Sequence, residues 1–175
     1  MRWSFKIYNM SNIQVRIAKP EDARAIRQVQ QDTWIATYPN DSLGITVEQI
    51  KRRVADNLSP EKVKSFQDML ANDNLLSWVA TAGEKVIGYA VASKGEEHNA
   101  IGAIYVLPEY HGQQVGSKLM EPALEWLGNS KNIEVEVASY NGRAINFYKK
   151  YGFAENGRTG DSDGIPTIFL TKEIS

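Results

Sequence analysis

The run Ile104-Tyr-Val-Leu-Pro-Glu-Tyr-His-Gly-Gln-Gln-Val-Gly-Ser-Lys-Leu119 limits what this chain can fold into more than any other. A β-branched and aromatic stretch stops at Pro108, and a short loop follows with Gly112. Val115, Leu119, Ala123 and Leu127 then recur at helical spacing. A strand that feeds directly into a helix gathers unpaired backbone N–H groups at the positive end of the helix dipole. Such a junction binds anions, phosphate above all. Gly112 and Gly116 allow close backbone approach where a Cβ would intrude. Other phosphate patterns fail on spacing: there is no G-x-G-x-x-G, and Gly112 to Ser117-Lys118 is not a G-x-x-x-x-G-K-S/T loop. Taken alone, the loop reads more readily as a tight strand-to-helix turn with no ligand.

The remaining segments order themselves around that junction as strand, helices, three strands, helix, strand, helix and two strands. Ile13–Ile17 alternates with period two. Pro20, Glu21 and Asp22 open a helix with Ile26, Val29 and Thr33 on one face, and Tyr38-Pro39-Asn40-Asp41 stops it. Residues 41–74 form a helical insert. Thr46 and Gln49 make a capping box there, Ile45 and Ile50 a hydrophobic staple, and Val47, Ile50 and Val54 a common face. Ser59-Pro60-Glu61 starts a further helix with Val63, Phe66 and Leu70 inward. Leu75–Thr81 and Lys85–Ala92 form a hairpin, and Asn99–Leu107 is its third strand. Pro122 should kink the helix after the loop. Ile133–Val137 alternates as a strand. Asn141 caps a helix with Ala144, Phe147, Tyr148 and Tyr151 on one face, ended by Gly152, and Phe153–Arg158 and Pro166–Thr171 close the chain.

Composition removes several chemistries. With 175 residues one domain is expected, residues 13–175, preceded by an N-terminal extension at 1–12 in which Met10 is an alternative start. The 20 Lys+Arg and 21 Asp+Glu give a formal net charge of −1, too balanced for a nucleic-acid partner. No cysteine is present, so disulfides, thiolate metal sites and a Cys nucleophile are excluded, and His98 and His111 alone cannot build a zinc site. No signal-like or membrane-length apolar run occurs, so a cytoplasmic protein without a membrane partner is expected.

A second segment, Val135-Glu-Val-Ala-Ser-Tyr-Asn141-Gly-Arg-Ala144-Ile-Asn-Phe147-Tyr148-Lys-Lys-Tyr-Gly152-Phe153, changes the weighing. Together the two segments resemble the GCN5-related N-acetyltransferase (GNAT) superfamily, whose members transfer an acyl group from coenzyme A to an amine. Its first hallmark is a strand, a Gln/Arg-x-x-Gly-x-Gly/Ala loop and a helix. Its later one is Asn, then Ala, then an aromatic-Tyr pair and Gly-Phe. The likeness spans Ile13 to Thr171 and is most specific in 104–119 and 135–153. The first hallmark departs twice: His111 stands where Gln or Arg is expected, and Gln114 where Gly is expected. Gln114 is tolerable if its backbone is ordinarily helical, and a positive His111 imidazolium would suit a phosphate.

The resemblance implies an α/β (α+β) fold: one mixed, mostly antiparallel central sheet with helices on both faces and a splayed parallel strand pair. It implies acetyl-CoA as cofactor, its diphosphate on the backbone of His111, Gly112, Gln113, Gln114, Val115, Gly116 and Ser117. The pantetheine would lie along Ile104, Tyr105 and Val106, with a backbone N–H near Val106 polarising the thioester carbonyl. Asn141 and Arg143 would flank the pantetheine, and Tyr148 would act as general acid toward the departing thiolate. Each residue also has a plainer reading: Tyr148 as core aromatic, Asn141 as an N-cap, Lys149 and Lys150 as solvated dipole partners, Glu134 and Glu136 as surface groups.

The base is unassigned, because Asn99–Ala103 carries no acid where many members have one; Glu96, Glu97 and His98 lie just upstream. Trp34, Tyr38, Asp41 and Tyr105 are candidate acceptor-lining groups, since aromatic faces and a carboxylate attract ammonium. The Trp34–Thr46 stretch is similar to members associated with polyamine acetylation. The expectation is direct ternary-complex transfer to a primary amine of a small molecule such as a polyamine, with no metal, by a monomer or homodimer. The alternatives are a protein N-terminal or lysine acetyltransferase and a non-catalytic CoA-binding module.

Overall fold

The computed structural model describes residues 13–174. The N-terminal extension expected at 1–12, with Met10, lies outside those residues. Seven strands build one sheet: β1 (Ile13–Ile17), β2 (Leu75–Ala82), β3 (Lys85–Lys94), β4 (Asn99–Val106), β5 (Ile133–Ala138), β6 (Ala154–Ser162) and β7 (Ile165–Lys172). Their order across the sheet is β1-β2-β3-β4-β5-β7-β6. Neighbours run antiparallel except for β4 and β5, which are parallel because α4 (Val115–Leu127) carries the chain back between them.

Helices cover both faces. Trp78 pairs with Ala90 across β2 and β3, so Tyr89 points to the opposite face from Trp78. On one face Trp126 of α4 meets Trp78 at a ring distance of 6.1 Å. On the other, Phe66 of α3 (Pro60–Leu70) meets Tyr89 at 6.5 Å, beside α1 (Ala23–Thr37) and α2 (Val47–Arg53). The last helix is α5 (Gly142–Lys149).

Local signals act as read. Ala23, Ile26, Val29 and Thr33 are the buried stripe of α1, and Pro20–Asp22 forms a 3₁₀ turn ahead of it. The Thr46 N–H donates to Gln49 Oε1 at 2.7 Å and the Gln49 N–H to Thr46 Oγ1 at 3.2 Å. Ile45 and Ile50 pack in one buried cluster. Val47 departs from its expected face and is 38% exposed, because Ile45, entering just ahead of the cap, shares that cluster with Ile50. In α3 no residue is fully buried. The buried positions of α5 are Ile145 and Tyr148, so its inward face is centred one position away from the aromatic stripe. The assigned helix α4 continues through Pro122, with Val115, Leu119, Met120, Ala123 and Leu127 buried.

Candidate active site

The site begins with one extra residue. Val91 pairs with Ala103 and Ala92 with Ile101, leaving Gly102 unpaired as a bulge in β4. The parallel pairing of β4 with β5 ends at the same place, after Asn99–Ile133, Ala100–Glu134 and Ile101–Val135. Beyond it the strands part, and a cavity of about 550 Å³ opens between them. The Leu107 N–H donates to the Ile87 carbonyl at 2.9 Å, which engages Leu107 with β3. By the alternation of an antiparallel ladder, Ile104 and Val106 turn their N–H and C=O groups toward the cleft.

The loop entering α4 forms one wall. The first helical bond runs from the Lys118 N–H to the Gln114 carbonyl at 3.0 Å, so the N–H groups of Val115, Gly116 and Ser117 have no acceptor within the helix, and all three residues line the cavity. A Cβ at Gly112 would meet nothing within 4 Å; its glycine answers φ +78°. A Cβ at Gly116 would come within 3.3 Å of the Phe147 ring, so this glycine lets α5 pack against the start of α4. Gln114 is not ordinarily helical: it sits at φ 61°, ψ 15°, the left-handed conformation that the family's glycine would adopt freely. The turn keeps its shape and the side chain bears the strain.

His111 also departs from expectation. Its Nε2 donates to the Val106 carbonyl at 2.8 Å, and its Nδ1 accepts from the Arg143 guanidinium. An Nδ1 that accepts is unprotonated, so the ring is neutral. Burial lowers its pKa first and Arg143 adds to that. The imidazolium expected over a phosphate is therefore replaced by a brace joining β4, the loop and α5.

α5 supplies another wall. Asn141 caps it, its Oδ1 accepting from the Ala144 N–H at 3.1 Å, which leaves the amide NH₂ free for other use. Tyr148 lies against Phe147 and Phe153 at ring distances of 5.5 and 5.7 Å and lines the cavity. Burial pushes its phenol well above the ordinary tyrosine value. It stays protonated, and is a weaker acid than a free tyrosine. On the opposite side the Tyr38 and Tyr105 hydroxyls are 2.9 Å apart, and the Tyr140 hydroxyl donates to the Tyr38 carbonyl at 2.7 Å. Burial raises both Tyr38 and Tyr105.

Of the residues singled out from sequence, Ile104, Tyr105, Val106, His111, Gly112, Gln114, Val115, Gly116, Ser117, Asn141, Arg143, Tyr148 and Tyr38 line the cavity. Three do not. Gln113 turns outward to the Glu109 carbonyl at 3.1 Å. Asp41 is exposed in a short 3₁₀ turn. Trp34 packs against the buried cluster of Ile45, Ile50, Ala138 and Ile165. His98 is also elsewhere, 3.8 Å from Glu134. Thr37 and Asn146 line the cavity without having been singled out, and Thr33, Glu136 and Lys150, read from sequence as a helix-face residue, a surface group and a solvated dipole partner, line it too. Glu136 had a signal: it is the one acid of β5 past the end of the parallel pairing. A smaller cavity of about 380 Å³ adjoins, with Thr37, His111, Asn141 and Arg143 shared between the two.

Two loop departures aside, this is a splayed parallel pair beside a helix start with unpaired backbone N–H groups. The model of the Acetyltransferase (GNAT) family matches residues 26–153. The chain belongs to that family. It is an acyltransferase. A Mycobacterium bovis protein described as an uncharacterized N-acetyltransferase is 29% identical over 118 residues, 65% of this chain and 72% of its own length. The peptidyl-lysine N-acetyltransferase YjaB of Salmonella typhimurium is 32% identical over 87 residues, 49% of this chain and 55% of its own. Among solved structures, the PaiA N-acetyltransferase of Thermoplasma acidophilum in complex with coenzyme A shares the fold at a TM-score of 0.73 and 22% identity. That match covers 93% of this chain and 99% of the other. No helix of this acetyltransferase among the described residues is long and apolar enough to cross a membrane.

Proposed function

We propose that this GNAT acetyltransferase moves the acetyl group of acetyl-CoA directly to the primary amine of a small molecule. The observation that carries the reading is the cleft at Gly102, where the strand-edge groups of Ile104 and the Val106 N–H face a helix start with unpaired N–H groups. Those N–H groups and the open space at Gly112 suit a diphosphate, and the strand edge suits the amides of a pantetheine. When bound, acetyl-CoA supplies an activated acetyl thioester.

The chain's own groups divide the remaining work. Val115, Gly116 and Ser117 hold the diphosphate through their backbone. Ile104 and the Val106 N–H orient the pantetheine; the Val106 carbonyl is already occupied by His111. The Asn141 amide and Arg143 flank it. Tyr148, held neutral by burial, donates a hydrogen bond to the leaving sulfur and completes the proton transfer in concert with the nitrogen's own loss of a proton. The sequence contains no cysteine to carry an acyl group, which favours direct transfer.

The acceptor is read from charge. Among the lining residues Glu136 is the one acid, so the cavity suits a single ammonium, and a polyamine would be held through one end. A peptide lysine is the second reading, favoured by the Salmonella relative. Calorimetry with coenzyme A and thiol release from acetyl-CoA over a panel of primary amines test both. No heat with coenzyme A would overturn the cofactor assignment, and heat without thiol release would make the chain a binding module.

A further inference from the structure

β4 and β5 part after Ile101 and Val135, and the segments that follow them meet again across the gap. His111, on the loop beyond β4, is fixed to the end of that strand by its Nε2–H, which donates to the Val106 carbonyl at 2.8 Å. Arg143, in the first turn of α5 beyond β5, donates to the other ring nitrogen, Nδ1. The pair is thus a crossbar over the open end of a V. The two cavities meet at it: Thr37, His111, Asn141 and Arg143 line both, the larger bounded by the β4 edge and the smaller by Ala36, Pro108 and Tyr140. The crossbar needs a neutral ring. An imidazolium has no lone pair at Nδ1 for Arg143, and it would set two cations against each other. The charges nearest the ring are Arg143 from α5 and, on its own loop, Glu109, which Lys85 of β3 pairs with at 3.3 Å. The end of α1 contributes Ala36 and Thr37 there, and the turn before α5 contributes Asn141 and the Tyr140 phenol, none of them charged. Glu136 and Lys150 line the larger cavity.

We infer that the His111–Arg143 pair is a gate on the cofactor cleft: it bars the open end of the V and parts to let a pantetheine arm in between β4 and β5. That role presupposes the cofactor reading above and adds to it what opens the cleft. The opposite end of the V is sealed by the parallel pairing from Asn99–Ile133 to Ile101–Val135, so the wide way in is the end the crossbar spans. Parting breaks the bond to Arg143 alone. His111 stays on the Val106 carbonyl, and the released guanidinium is the one that flanks the pantetheine. Protonation of the ring opens the same gate. Burial and Arg143 hold the His111 pKa below the ordinary histidine value, so the gate is shut at neutral pH and opens as pH falls through the lowered value. A glutamine, one of the two residues the family pattern expects here, offers the donor and acceptor of a neutral ring but cannot titrate. The proton switch therefore belongs to this chain's histidine.

The test is stopped-flow association of the fluorescent analogue 1,N6-etheno-coenzyme A with the full chain between about pH 5 and 8. In the parent protein the association rate should rise about tenfold as pH falls, because the open fraction limits it. His111→Ala, with nothing to accept from Arg143, should associate at the parent's fast acid rate at every pH. His111→Gln should stay slow. The analogue's own phosphate titrates near about pH 6 and gives all three proteins the same small slope, which the His111→Gln profile measures. Ring ¹⁵N NMR, with His98→Gln to assign the two histidines, should show Nδ1 unprotonated and Nε2 protonated at neutral pH. A brace with no gating role would change stability and dissociation in His111→Ala and leave association alone. Equal association rates without a pH step in the parent and His111→Ala, or a ring protonated on Nδ1 at neutral pH, overturn the gate. No binding of the analogue by any of the three proteins at any pH overturns the cofactor reading, and the gate with it.

Discussion

The hydroxyls of Tyr38 and Tyr105 sit 2.9 Å apart, tying the residue that ends α1 to the cleft edge of β4. One phenol must donate and the other accept. Burial raises the Tyr105 pKa while the bond from Tyr38 lowers it, the pattern of an accepting Tyr105 oxygen. Tyr38→Phe removes the donor. Stability should fall by about 1 kcal/mol in denaturant titration, and KM for the amine should rise while coenzyme A heats stay unchanged.

Tyr148→Phe separates packing from chemistry. The ring contacts with Phe147 and Phe153 survive the change, so the fold and coenzyme A affinity should persist. The leaving sulfur loses its donor, and kcat should fall by about a hundredfold or more. Steady-state thiol release alongside calorimetry measures both; undiminished kcat would take Tyr148 out of the mechanism.

Gln114 holds φ +61° without the freedom of a glycine. Gln114→Gly relieves that strain and costs some unfolded-chain entropy, for a net gain of up to about 1 kcal/mol. The denaturation midpoint should rise with no loss of coenzyme A binding, because the wall there is main chain.

His111 predicts a pH dependence with a definite sign. Burial and Arg143 hold its folded pKa below the ordinary histidine value, so the unfolded chain binds the proton more readily. The neutral-ring brace is therefore fully present above that ordinary value, and its contribution is lost as pH falls through the lowered one. Thermal unfolding scanned across mildly acidic pH should show this loss. His111→Gln, which has no titrating ring, should flatten it.

Gly116→Val brings a branched side chain against the Phe147 ring, which a Cβ alone would approach to 3.3 Å. α5 should shift from the start of α4, and coenzyme A affinity should drop more than global stability does. Calorimetry against the denaturation midpoint reads the difference.

The sheet, its strand order in sequence and the loop–helix junction were legible because they rest on periodicity and punctuation: alternation in Ile133–Val137, the Thr46–Gln49 cap, the stop at Pro108. What the sequence hid came from contacts between distant residues. Nothing local says that His111 will find the Val106 carbonyl and Arg143, or that a Phe147 ring is what Gly116 accommodates. Gln114 looked like a helical residue because side-chain identity does not report φ. Asp41 and Trp34 had suitable chemistry and were aimed elsewhere by the turn at Asn40–Gly44 and by the Ile45–Ile50 cluster. Glu136 was passed over because alternation marks it as outward-facing. That is true, but past Val135 its neighbour β4 has parted, so an outward side chain there borders the cavity.

Gly102 also settles which way the residues after it look. A side-chain period of two means that adding one residue turns every later position of β4 to the other face. Delete Gly102 and Tyr105 would point toward α4, its hydroxyl parted from Tyr38, while β4 regained the register to zip onto β5 and shut the gap. The receptive space of this protein is in that sense an off-by-one count in a ladder, kept open by the smallest residue available.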